Sequence, residues 1–319
     1  MIYSVRHITT FRYEPAIRES VMEVRLQPRS DGDQRCLNFS LRVEPAANVM
    51  QYRDFAGNVV HHFGIAGTHD LLKVTGQSEV EVQVVPPPRV SDTGDWADLD
   101  ALVAGGDYWE MLLPSHFVRS SPPLQALATE IGIERRGNPL QVLSELNQAI
   151  YDLFDYVPDS TKVDSPIEDA LASRHGVCQD FAHIMIALVR GLKVPCRYVS
   201  GYMFHRDPHE HDRSLEGASH AWVEALVPGL GWVAFDPTNN LVGADRHIRV
   251  AIGRDYADVP PTRGVYKGEA QSELSVAVTV SSPSKTPPEP PPPSFVTRSR
   301  PLPARSAALR SEQEQQQQQ

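Results

Sequence analysis

Between Ile2 and Val85, apolar and polar positions alternate in short runs: "YSVRHITTFRY", "ESVMEVRLQP", "CLNFSLRVEP", "NVVHHFGI" and "LLKVTGQSEVEVQV", with Pro, Gly, Asn and Asp between them. Alternation of period two bounded by turn residues predicts an antiparallel β domain. The Gly-Asn pair in "DFAGNVVHHF" supplies a hairpin turn, and the triple proline at 86–88 cannot continue a sheet ladder. The first domain is therefore expected over residues 1–88.

Beyond it the spacing becomes helical. "PPLQALATEIG" and "NPLQVLSELNQAIYDLFDYVP" place apolar residues three and four apart, with proline early and, in the second, again at the end. "DSPIEDALASRHG" predicts a short helix in which Ser165 and Glu168 form a capping box, Pro166 takes the first helical position and Gly176 follows the end. Phe181, Ile184, Met185, Leu188, Val189 and Leu192 then make one apolar face on a helix starting at about Cys178. "VPCRYVSGYMF", "SHAWVEALV" and "GWVAFDPT" read as strands, the last two joined by the turn "PGLG". Residues 89–265 are thus expected as helices followed by an antiparallel sheet, an α+β core. From 281 to 319 the chain is rich in Pro, Ser, Arg and Gln and has few large apolar groups to offset the entropy of ordering. That segment is expected to be a disordered tail, and its "PPEPPPP" could dock on an aromatic groove of a partner.

Composition narrows the function classes. The 319 residues are 41% hydrophobic and carry a formal net charge of -10, without a long Lys/Arg run before the tail, which argues against nucleic acid or an anionic membrane as partner. No stretch approaches the roughly 18 apolar residues of a membrane span, and "MIYSVRHITTFRYEP" lacks the apolar core of a signal peptide. Three scattered cysteines, Cys36, Cys178 and Cys196, do not form a disulfide framework, so a cytoplasmic protein with reduced thiols is expected.

The candidate chemistry lies in "HGVCQDFAH". A thiol at a helix N-terminus meets free backbone N–H groups and the positive end of the dipole, both of which favour thiolate. Taken alone, such a cysteine reads as packing. Chemistry requires a base and a group that orients it. His220 opens the strand "SHAWVEALV" and Asp236 closes "GWVAFDPT"; across a hairpin, the start of one strand lies beside the end of the next. Cys36 and Cys196 have no such partners and read as packing. Asp180 and His183, at +2 and +5 from the thiol, do not both share its face and read as supporting groups. His205, Asp207, His209, His211 and Asp212 in "HRDPHEHDRSLEG" read as a solvated loop rather than a metal site. Tyr202, Phe204 and Trp222 are expected in the core.

"GVCQDFAHIMIALVRGLKVPCRYVSGY", "SHAWVEAL" and "GWVAFDPTNN" together resemble the transglutaminase-like core, and the β region before them resembles the N-terminal domain found with that core in bacterial proteins. The resemblance covers about residues 1–260. It implies a papain-like α+β fold with the nucleophile on Cys178, the general base on His220, the orienting carboxylate on Asp236 and an oxyanion hole built partly from the Cys178 backbone N–H. It also implies acyl transfer through a thioester, most simply hydrolysis of peptide or isopeptide bonds in a peptide or protein substrate. Protein-glutamine transamidation and a non-catalytic interaction role are the alternatives. No cofactor and no metal requirement are implied.

Overall fold

The computed structural model describes residues 1–205, 212–214, 217–243, 246–282 and the two-residue strand Val296–Thr297. The chain opens with β1 (Ile2–Val24), β2 (Gln34–Glu44), β3 (Val49–Arg53) and β4 (Val59–Val82). It continues through the helices α1 (Trp96–Ala104), α2 (Pro122–Ile131) and α3 (Pro139–Leu153). Next come β5 (Asp155–Tyr156), α4 (Ile167–Ser173), β6 (His175–Gly176) and the central helix α5 (Cys178–Gly191). The second sheet is formed by β7 (Cys196–Met203), β8 (His220–Val227), β9 (Gly231–Asp236), β10 (Leu241–Val242) and β11 (His247–Gly253). Last are β12 (Thr262–Lys267), β13 (Gln271–Ser281) and β14 (Val296–Thr297). Among the described residues no helix is long and apolar enough to cross a membrane.

β1 to β4 form the antiparallel sheet that their alternation predicts, and the triple proline follows its last strand. The sheet has a second source of strands: β12 and β13 return from beyond the core to pair antiparallel with β1. Thus β1 is bonded to β4 along one side and to β12 and β13 along the other.

α2 and α3 begin at the prolines that the sequence places early, and Gly132 ends α2 in the left-handed region (φ 67°). α4 departs from expectation. It starts at Ile167 with no side-chain cap, because the Ser165 hydroxyl accepts instead from the Lys162 N–H. Arg174, not glycine, takes the left-handed position at its end, and Gly176 is paired in β6 beside Tyr156.

α5 fixes the site. Phe181, Ile184, Met185 and Ile186 are fully buried, each contributing about 1.5–3 kcal/mol of apolar burial as an upper estimate. The helix packs on β7 and β8 and is covered by α2, α3 and α4. At its far end the Arg190 guanidinium donates to the carbonyls of Met111, Leu113, Cys196 and Arg254, holding that end in the fold. Along β8 the alternation sends Ala221, Val223 and Ala225 into the core with α5, while Trp222 joins Val199, Ala234 and Ile252. The two sheets are joined by polar clasps: Arg249 pairs with buried Glu224 and with Asp33, and the Asn58 side chain bonds both backbone groups of Ile252.

Candidate active site

Cys178 is the first residue of α5, half-buried, with extended Val177 as N-cap. Its helix start is held by Asp180, whose Oδ2 accepts from the Val177 N–H (2.9 Å) and from the Thr161 hydroxyl (2.5 Å). Burial pushes the Asp180 carboxyl upward, against those hydrogen bonds. Gln179 donates to the Val163 carbonyl and ties the preceding loop to the same turn.

His220 lies at the start of β8, opposite Gly201 of β7, and Asp236 ends β9. The imidazole Nε2 donates to Asp236 Oδ2 at 2.8 Å, with both side chains almost wholly buried. Burial disfavours the imidazolium. The charge and hydrogen bond of Asp236, joined by those of Cys178, outweigh it and raise His220 to about 10. Asp236 is held well below the usual carboxylate range: burial alone would raise it, and His220 and His247 override that. Because Nε2 is committed to the carboxylate, Nδ1 is the nitrogen left for a thiol proton; it is buried and has no regular hydrogen-bond partner.

The carboxylate is fixed from several sides. Oδ1 accepts from the Thr238 and Asn239 N–H groups of its own turn. Oδ2 accepts from His220, from Asn239 Nδ2 (2.8 Å) and from His247 Nε2 (3.0 Å). Asn239 also accepts through Oδ1 from the Arg213 and Ser214 backbone N–H groups, linking the segment before β8 to the site. Neither Asn239 nor His247 is found by sequence reasoning. Asn239, three residues beyond Asp236 in "DPTNN", has a local turn signal; His247 has none.

His247 is informative about the sheet. β11 and β9 are separated by β8 and β7, which in a flat sheet would put them three strand spacings apart, about 14 Å. Contact between the Asp236 and His247 side chains therefore requires the sheet to curve strongly at this end. Gly201 permits it: a Cβ there would lie 2.7 Å from the Trp222 ring and against the Ile248 carbonyl.

The other singled-out residues stand apart. Cys196 is buried in β7, where burial raises its thiol to about 12, and Cys36 is half-buried in β2. His183 stacks on Phe117 and accepts the Tyr256 N–H; burial pushes it down to about 3. Trp222 and Tyr202 are buried, and Phe204 packs on Tyr3. His205 bonds Asp212, while Asp207, His209 and His211 lie outside the described residues, as does the tail apart from Ser281, Ser282 and β14. Among the described residues, His220, Asp236 and His247 form the one group of three whose ligand atoms, within 4.8 Å of one another, could hold a metal ion. Those atoms are already hydrogen-bonded to one another, so a cation would have to displace both imidazole protons.

A thiol on a helix start beside a strand-borne imidazole and carboxylate is the layout of the transglutaminase-like and cysteine-protease-like folds. The model of the bacterial transglutaminase-like N-terminal region matches residues 3–81, and that of the transglutaminase-like superfamily matches residues 125–237. The chain belongs to that superfamily and carries its bacterial N-terminal region. An uncharacterised Mycobacterium leprae protein is 33% identical over 274 residues, covering 86% of this chain and 96% of its own length. A protein-glutamine gamma-glutamyltransferase of Pseudomonas aeruginosa is 30% identical over 177 residues, which is 50% of this chain and 25% of that one. A solved structure from Cytophaga hutchinsonii, provisionally described as a cysteine protease, superposes with a TM-score of 0.70 at 25% identity, covering 90% of this chain and 93% of the other.

Proposed function

We propose that the protein is a cysteine-dependent hydrolase of peptide or isopeptide amide bonds, acting through a thioester on Cys178. The observation that carries this reading is the division of labour on His220: Nε2 is bound to Asp236, and Nδ1 remains for the thiol at the start of α5. The raised His220 imidazole is a ready acceptor for the thiol proton, and the helix start supplies N–H groups that face the sulfur. The sulfur attacks the amide carbonyl carbon, and the oxygen becomes an oxyanion within reach of the Cys178 backbone N–H. His220 passes its proton to the leaving nitrogen as the C–N bond breaks. It then takes a proton from water, whose oxygen displaces the sulfur and releases the acid. Three cysteines outside any disulfide suit a reducing cytoplasm as the place where a peptide or protein substrate is met.

A second reading has one observation in its favour, the partial likeness to the Pseudomonas gamma-glutamyltransferase. There an amine would take the place of water at the thioester. Both readings are tested by incubating the protein with a protein substrate and a fluorescent primary amine. New termini without fluorescence are expected, together with a Cys178 acyl adduct by mass spectrometry and loss of both in Cys178→Ala. Amine incorporation would transfer the assignment to transamidation. The absence of adduct, cleavage and incorporation would overturn acyl transfer altogether.

A further inference from the structure

Asp236 receives a second imidazole for which the three-residue reaction has no use. His247 is 2% exposed and donates through Nε2 to the same carboxylate oxygen that holds His220. Its Nδ1 is buried and without a partner. His247 thus serves Asp236 as a hydrogen-bond donor through Nε2. The other donors to Asp236 belong to its own turn (Thr238 and Asn239) or to His220 itself. His247 is the one donor among them that ties the carboxylate to β11. Its ring packs on Trp222 at 4.8 Å and lies 5.8 Å from that of His220, and Trp222 stacks on His220 at 6.0 Å, so the three rings form one mutually packed cluster.

We propose that His247 is a positioning residue for the reaction: its Nε2–H stops the Asp236 carboxylate from turning away, and so keeps His220 Nδ1 directed at Cys178. This rests on the acyl-transfer reading. His247 acts through its hydrogen bond to Asp236.

The test uses the full chain with His247→Leu, which removes the donor, and His247→Gln, which keeps an N–H. Iodoacetamide labelling of Cys178 is followed against pH, and kcat and KM are measured on an amide substrate. In His247→Leu, kcat is expected to fall on the order of 10- to 100-fold with KM changed less than about twofold. The alkaline limit of fast labelling should move toward the pH of an ordinary histidine, and His247→Gln should recover most of both effects. A folded His247→Leu protein with the wild-type labelling profile, or a Gln variant no better than Leu, overturns the proposal. If the Leu variant does not fold, nitrogen-15 spectra of the wild-type histidines decide: His247 must carry its proton on Nε2, and a proton on Nδ1 overturns the proposal. Wild-type Cys178 labelling no faster than a free thiol would instead overturn the acyl-transfer reading, and the spectra would still report on His247 and Asp236.

Discussion

Two buried imidazoles, one in each sheet, show what decides the charge of a histidine. His7, in β1, is 2% exposed and bonds only neutral groups, the Tyr202 hydroxyl (3.0 Å) and the Thr9 hydroxyl (3.0 Å). Burial pushes it down to about 4. His220 is 4% exposed, yet the carboxylate of Asp236 and the thiol of Cys178 carry it to about 10. Burial is the same for both, so the partner sets the sign. Desolvation penalises the cation everywhere, and only a nearby anion reverses the outcome. The two sites share a strand: β7 carries Tyr202, which holds His7, next to Gly201, which lies opposite His220.

The largest break in this contrast should come from Asp236→Asn. With its anion gone, His220 is left to burial and should fall below 6.5, becoming a second His7. Turnover should drop on the order of 10³–10⁴-fold, as when a triad loses its orienting carboxylate, and Cys178 alkylation at neutral pH should slow with it. Activity within tenfold of wild type would show that Asp236 does not set the state of His220.

A few kcal/mol of pH-dependent stability should separate the two rings, with opposite slopes. The folded pKa of His220 lies above its unfolded 6.5, so its contribution is fully present below pH 6.5 and is lost as pH rises toward about 10. The folded pKa of His7 lies below 6.5, so its contribution is present above pH 6.5 and is lost as pH falls toward about 4. Urea unfolding across pH 4 to 10 should therefore show a flatter alkaline side in His220→Gln and a flatter acid side in His7→Gln. The same flattening in both variants would erase the distinction.

The smallest effect is expected at the shared strand. Gly201→Ala places a methyl against the Trp222 ring and should cost about 1–3 kcal/mol of stability by denaturant titration. A neutral result would mean that the indole and the β11 backbone at Ile248 can both shift freely.

Much of the site is legible in the chain because it is local. The 3.6 period of α5 puts Cys178 at a helix start, and one tight hairpin puts His220 beside Asp236, so spacing alone brings two of the three groups together. Where the structure goes further, the cause is long-range. His247 reaches Asp236 only because the sheet curls, and β12 and β13 join β1 across more than two hundred residues of sequence, which no local period records. The end of α4 departs from its sequence pattern for a smaller reason. Arg174 adopts the left-handed turn usually left to glycine, freeing Gly176 to pair with Tyr156.

The return of β12 and β13 to β1 also sets an order on biosynthesis. A ribosome delivers β1 to β4 first, and the edge of β1 that later receives the returning strands stays bare while the whole thiol-bearing core is being made. An exposed strand edge is a template for pairing with other chains. A nascent polypeptide released before Thr262 therefore leaves the ribosome with its core complete and that edge uncovered; the returning strands act as the seal, present only once synthesis has passed Ser281.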